Sequence, residues 1–100
     1  MNLEIDGQFF EWDDEKAEIN KRKHGIRFET AIKVFEDENR KIRRDDKHST
    51  INEERWQTIG KVKNILFVVY TERSDTTRII MARKAEPSER RAYYDSEEIY

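Results

Sequence analysis

The sequence contains no cysteine, a single proline and three glycines among its 100 residues. The lack of cysteine excludes a disulfide scaffold, a thiolate zinc site and a cysteine nucleophile. So few glycines and prolines exclude glycine-rich phosphate loops and low-complexity linkers. Long apolar runs are missing too. The longest, Ile65-Leu66-Phe67-Val68-Val69-Tyr70, falls far short of the ~20 residues that cross a bilayer, and the mean hydropathy is -1.09. The opening residues, Met1-Asn2-Leu3-Glu4-Ile5-Asp6, have neither the basic nor the apolar segment of a signal peptide, so the expectation is a cytoplasmic chain with no membrane role. What the sequence does have is charge. Lys, Arg, Asp and Glu make up 42% of it, 20 basic against 22 acidic, for a net charge of -2. Such a chain makes one domain of modest stability, burying only about 60–70% of its unfolded surface.

The charges are unevenly placed. Acidic residues dominate residues 4–18, whereas basic ones gather at Lys21-Arg22-Lys23, Arg40-Lys41, Arg43-Arg44, Arg78, Arg83-Lys84 and Arg90-Arg91. The balance excludes a general nucleic-acid coat. A local cationic site remains, because phosphate recognition depends on where guanidinium and ammonium groups converge and not on their sum.

The first regular element starts at Trp12-Asp13. Asp13 is a candidate N-cap, Asp14 and Glu15 face the positive end of the helix dipole, and Lys21, Arg22, Lys23 and His24 lie before the terminating Gly25. Phe28, Ala31, Ile32 and Phe35 then repeat at i, i+3, i+4 and i+7, the stripe of a second short helix. Lys41-Ile42-Arg43 is a weak strand, and Asp45-Asp46-Lys47-His48-Ser49 reads as a loop. Glu54-Arg55-Trp56-Gln57-Thr58-Ile59 is a strand ended by Gly60, and the run Ile65 to Tyr70 is a central strand covered on both faces. After a reversal at Ser74-Asp75, Thr77-Arg78-Ile79-Ile80-Met81-Ala82 pairs back. Pro87 opens a last helix over Ser88-Glu89-Arg90-Arg91-Ala92-Tyr93-Tyr94, beyond which the final residues are expected to fray. The fold class is therefore α+β: two N-terminal helices, a three- to four-stranded antiparallel sheet and one C-terminal helix, with helices covering one sheet face.

Chemistry concentrates on the strands. Alternation puts Arg55, Gln57 and Ile59 on one face and Glu54, Trp56 and Thr58 on the other, while Tyr70, Glu72, Arg73, Arg78 and Arg83 come from the neighbouring hairpin. Guanidinium groups fork onto phosphate oxygens, so such a set suits binding a phosphodiester and neutralising the charge that grows on it during cleavage. The plainer reading is solvated cross-strand pairing with Glu54, Glu72 and Glu89. Trp56 and Tyr70 suit base stacking, although core or cross-strand packing is the commoner fate of such aromatics, and Tyr93-Tyr94 and Ile99-Tyr100 suit a terminal helix against the sheet. His24 reads as a helix-end residue. His48, in a polar loop, carries an imidazole that suits proton transfer, although loop histidines are usually solvated. Neither histidine has metal-ligand spacing, so no metal or other cofactor is expected.

Taken together these segments resemble the BrnT family of bacterial ribonuclease toxins, over residues 10–93. The resemblance rests on Phe10-Glu11-Trp12-Asp13, Lys16 with Asn20, Lys23-His24-Gly25, Phe28-Glu29-Thr30-Ala31 and Val34-Phe35-Glu36-Asp37. It continues through Asp46-Lys47-His48-Ser49, Glu53-Glu54-Arg55-Trp56 with Ile59-Gly60, Val68-Val69-Tyr70-Thr71-Glu72-Arg73 and Arg78-Ile79-Ile80-Met81-Ala82-Arg83-Lys84-Ala85. It departs mildly at Lys47, where the family often has Arg, and at Met81, where Ser is common. It departs also at Glu86, where Ser or Thr would complete a capping box with Glu89, so a weaker helix start is expected. The resemblance implies a RelE-like fold, metal-independent RNA cleavage, and neutralisation by a ribbon-helix-helix antitoxin through which alone the complex meets DNA. Carried onto this chain it makes Arg55, Arg73, Arg78, Arg83, Tyr70, Glu54 and His24 the candidate catalytic residues, with Lys23, Trp56 and Lys84 binding RNA. Glu54 or Glu72 is the candidate base and Tyr70 or His24 the candidate acid. The competing function is a non-enzymatic module that binds a partner chain through its sheet and last helix. Direct DNA binding is the weakest reading, since the net charge is negative and no helix joins a basic face to base-reading side chains.

Overall fold

The computed structural model describes residues 1–95. In chain order they form β1 (Asn2–Ile5), β2 (Gln8–Glu11), α1 (Asp14–His24), α2 (Phe28–Ala31), a 3-10 turn (Ile32–Glu36), β3 (Lys41–Arg44), β4 (Arg55–Val62), β5 (Asn64–Arg73), β6 (Thr76–Lys84) and α3 (Pro87–Tyr94). The strands make one sheet in the order β1-β2-β6-β5-β4-β3, antiparallel throughout except where β2 runs parallel to β6. The class is α+β as expected. The three- to four-stranded antiparallel sheet is corrected to six strands of mixed direction, because an N-terminal hairpin adds two. Its turn is Asp6-Gly7, with φ of 51° and 82°, the doubly left-handed geometry whose twist matches that of the flanking strands. No helix among the described residues is long and apolar enough to cross a membrane. The expected fraying of the last residues and the Ile99-Tyr100 pair lie outside the described residues.

The apolar run in β5 is buried from both sides, as its continuity predicts. Leu66, Val68 and Tyr70 join the core under α1, α2 and the 3-10 turn, with Phe10, Trp12, Phe28, Ile32 and Val34. Ile65, Phe67 and Val69 join a second core with Ile59, Ala92 and Tyr93. Helices therefore lie on both faces, and the expectation that they cover one is corrected: α3 crosses to the face opposite α1. It covers only one end of that face. The other end, where β4 starts and β5 stops, is left to polar side chains.

Local signals account for the helix ends. Asp13 accepts from the Glu15 and Lys16 amides at 2.9 and 3.1 Å, and Gly25, at φ 72°, returns its N–H to Lys21. The second helix lasts one α turn and tightens into the 3-10 turn, which buries Val34 completely and leaves Phe35 partly covered. Strand β4 runs through Gly60 and turns at Lys63, rather than stopping at the glycine. Gly60 serves a close approach instead: a Cβ there would sit 2.5 Å from Val34 Cγ1 and 3.2 Å from the Val34 carbonyl oxygen, so the 3-10 turn packs directly on strand backbone. At α3 the start is better capped than the sequence suggests, since the Glu89 carboxylate accepts the Glu86 N–H at 2.8 Å. The far end is pinned by Tyr93, whose hydroxyl donates to Asp37 while the Lys61 amide donates to the same carboxylate oxygen. Burial foremost, and then that carboxylate, push the Tyr93 hydroxyl up to about 12.

Candidate active site

The open end of the second face is organised by strand register. Arg55 on β4 pairs with Thr71 on β5, Thr71 pairs with Arg78 on β6, and Arg78 pairs with Glu11 on β2. Directly paired residues share a face, so four strands contribute one lateral row. Arg73, two residues beyond Thr71, joins it. Glu53 bridges two of these cations, accepting from Arg55 at 3.3 Å and from Arg73 at 3.2 Å. Those two hydrogen bonds hold its carboxyl below the usual range, Arg73 contributing most. Arg78 lies 3.6 Å from Glu11. In the middle of the row the Thr71 side chain is buried, and its hydroxyl has no hydrogen-bond partner among the described residues.

A turn from residues 45–49 closes over the start of β4. Asp45 donates its N–H to the Arg55 carbonyl at 2.7 Å, and the Ser49 hydroxyl accepts the Arg55 N–H at 2.9 Å. Within the turn His48 Nδ1 stands 3.0 Å from Asp45 Oδ2. Burial raises the affinity of Asp45 for a proton, but hydrogen bonds from Gln57 and His48 outweigh it and the carboxyl ends below its ordinary value. A carboxylate facing Nδ1 favours the tautomer with its proton on that nitrogen over the one with it on Nε2. The chain of bonds continues outward, for Arg43 donates to Gln57 at 2.6 Å. Beside this turn a cavity of about 610 Å³ is lined by Ile51, Asn52, Glu53, Glu54, Trp56, Thr71, Glu72 and Arg73.

The structure thus brings together Arg55, Arg73 and Arg78 of the residues expected from sequence. Glu54 and Trp56 line the cavity with Thr71 and Arg73, and the rest lie elsewhere. Arg83 shares the face but pairs with Phe67 on β5, four residues or about 13 Å along the strand from Thr71. There it forks onto Glu89 at 2.8 and 3.0 Å and lies 4.0 Å over the Phe67 ring, tying β6 to α3. Tyr70 is buried on the opposite face, edge-on to Phe35, and burial pushes its hydroxyl up despite a bond from Arg40. Trp56 pairs with Tyr70 and packs on that same core. Glu54 ion-pairs with Arg44 at 3.5 Å, on the far side of β4 from Arg55. His24 and Lys23 flank a small cavity between α1 and β6 that also takes in Ile80 and Met81. Lys84 is exposed at the end of β6. Sequence reasoning passed over Asp45, Glu53, Gln57 and Thr71 as site residues and weighed His48 for proton transfer without placing it in the site. The available signal was the Asp-x-x-His spacing, which lets one turn bring carboxylate and imidazole together.

The family model described as the ribonuclease toxin, BrnT, of type II toxin-antitoxin systems matches residues 12–89. The chain belongs to the BrnT family. Its fold is similar to the 1.1 Å crystal structure of the Brucella abortus ribonuclease toxin BrnT, with a TM-score of 0.58 and 23% identity over 75% of this chain and 92% of that one. No curated protein matches the chain.

Proposed function

We propose that this chain cleaves RNA without a metal, by driving a 2′-hydroxyl onto the adjacent phosphate, on the face that carries Arg55, Arg73, Arg78 and His48. The observation that carries the reading is the shared sheet face of Arg55, Arg73 and Arg78, with the Asp45–His48 turn hydrogen-bonded to the Arg55 backbone. His48 Nε2 takes the 2′-hydroxyl proton as the 2′-oxygen bonds to phosphorus. The bond to the 5′-oxygen breaks, and the imidazolium is a proton source for that leaving oxygen. Arg55, Arg73 and Arg78 offset the charge that accumulates on the phosphate oxygens. Their partners Glu53 and Glu11 are partly solvated, and such ion pairs are worth about 1 kcal/mol or less, so a phosphodiester displaces them readily. The products are a 2′,3′-cyclic phosphate and a free 5′-hydroxyl. Family membership supports RNA as the substrate and an antitoxin as the partner. We assign that partner to the ribbon-helix-helix class, with DNA bound only through it, and we place the toxin in the cytoplasm, where loss of RNA halts translation.

The test is incubation of the purified chain with protein-free RNA in excess EDTA, followed by analysis of the fragment ends. Fragments ending in 2′,3′-cyclic phosphate are expected. Cleavage that stops in EDTA, or that leaves 5′-phosphates, contradicts the mechanism, and tight binding to a partner chain with no cleavage of free or ribosome-bound RNA favours the interaction module.

A further inference from the structure

The arginine row has an aromatic neighbour that the reaction as described does not use. Phe9 on β2 pairs with Thr76, and Thr76 pairs with Arg73, so Phe9 lies on the same sheet face as Arg73 and Arg78. Its neighbour Phe10 fills the opposite core at 2% exposure, yet Phe9 remains 41% exposed. Burying a phenylalanine stabilises a protein by about 1.5–3 kcal/mol, and here that gain is forgone in a strand held between two others. Among the described residues one other aromatic ring is exposed as a large hydrophobic, Tyr94. It lies against Lys61 and Tyr93 at the α3 end of the molecule. Trp56 and Tyr70, the stacking candidates from sequence, face the other core.

Phe9 stands one strand and two residues from Arg78, about 8 Å by strand geometry. A single nucleotide covers that separation when its phosphate lies on the guanidinium and its base lies on the ring. We infer that Phe9 is a base-stacking subsite that holds one nucleobase of single-stranded RNA beside the phosphate bound by Arg73 and Arg78. The inference rests on the proposed cleavage reaction and adds to it the element that positions the strand. The occupant is a base and not a second phosphate, because Glu4 pairs with Phe9 from β1 and Glu11 follows it on the same face, and carboxylates there repel a phosphodiester. Stacking on an open ring tolerates every base but favours purines, which present the larger face.

The test compares wild type with Phe9→Ala, Phe9→Leu and Phe9→Trp on short single-stranded oligoribonucleotides that differ in one base. Phe9→Leu keeps an apolar side chain in the strand without the ring, and circular dichroism confirms each fold. Expected for Phe9→Ala and Phe9→Leu is a rise in KM of about 5- to 100-fold, the range set by loss of one stacked base, with kcat within about threefold and the preference among bases flattened. Phe9→Trp restores KM and the preference. Unchanged KM and preference in a folded Phe9→Leu protein overturn the inference while leaving RNA cleavage standing. Loss of antitoxin affinity with KM unchanged overturns it as well and makes the ring a partner contact. A wild-type chain that neither cuts nor binds RNA overturns both this inference and the proposed function.

Discussion

Replacing His48 with alanine lowers the rate of RNA cleavage by roughly 10²- to 10⁴-fold, the usual contribution of a positioned proton-transfer group, while the domain stays folded. The imidazole is more than half exposed, so its removal opens no cavity. The turn that carries it is held by other bonds, from the Asp45 N–H to the Arg55 carbonyl and from Arg55 to Ser49. Arg55, Arg73 and Arg78 remain in place to bind RNA. The loss therefore falls on kcat, with KM nearly unchanged. Single-turnover cleavage with the thermal melt measured in parallel separates the two effects. Wild-type cleavage by a folded His48→Ala protein removes the Asp45–His48 pair from the reaction and returns the search for a proton carrier to Glu54 and Glu72.

The largest structural effect is expected at a residue with no part in the chemistry. Asn20, the one buried residue of α1, donates to the Ile26 and Ala82 carbonyls at 2.9 Å each and accepts the Ala82 N–H at 3.1 Å. Strand β2 covers β6 only at Thr76, Thr77 and Arg78, so beyond that point the edge of β6 would expose its backbone to the core. The Asn20 amide acts there as a one-residue strand partner. Asn20→Ala leaves three buried backbone groups without partners, each worth about 1–3 kcal/mol. The expected loss is about 3–5 kcal/mol, seen as a fall in melting temperature of about 15 °C or more. The exposed substitution Lys23→Ala on the same helix shifts stability by about 0.5 kcal/mol or less. A melt of Asn20→Ala within 2–3 °C of wild type, a shift well under 1 kcal/mol on the same scale, would show that water replaces the amide.

What could be read from the sequence was whatever local chemistry decides. Asp13 and Gly25 bound α1 because a capping carboxylate and a left-handed glycine act within a few residues of themselves. The unbroken run in β5 is apolar on both faces because a helix packs on each, and its parity divides the two cores correctly. Parity also separated Trp56 from Arg55. The N-terminal hairpin was missed although Asp6-Gly7 is a strong turn signal, because its strands are four residues long and their acidic residues mask the alternation. Arg83 stands apart from Arg78 for a non-local reason. The two share a face, but α3 crosses to it and brings Glu89 to Arg83, and nothing near position 83 in the sequence records that crossing. Tyr70 likewise follows the parity of Leu66 and Val68 into the first core. The Asp45–His48 pair was visible as a spacing. Its position beside Arg55 depends on the turn folding back onto β4, and that is decided by the bonds of the Asp45 N–H and the Ser49 hydroxyl to the Arg55 backbone and not by composition.

On the proposed reading RNA is held on the face of Arg55, Thr71 and Arg78, away from Tyr70 and Lys23. The most direct test of that reading is backbone amide NMR of the isotopically labelled chain titrated with fully 2′-O-methylated RNA, which binds but offers no 2′-hydroxyl to attack. The largest shifts are expected together on Asp45, His48, Arg55, Thr71 and Arg78. Shifts confined to Lys23, His24 and Lys84, with that row undisturbed, would contradict it.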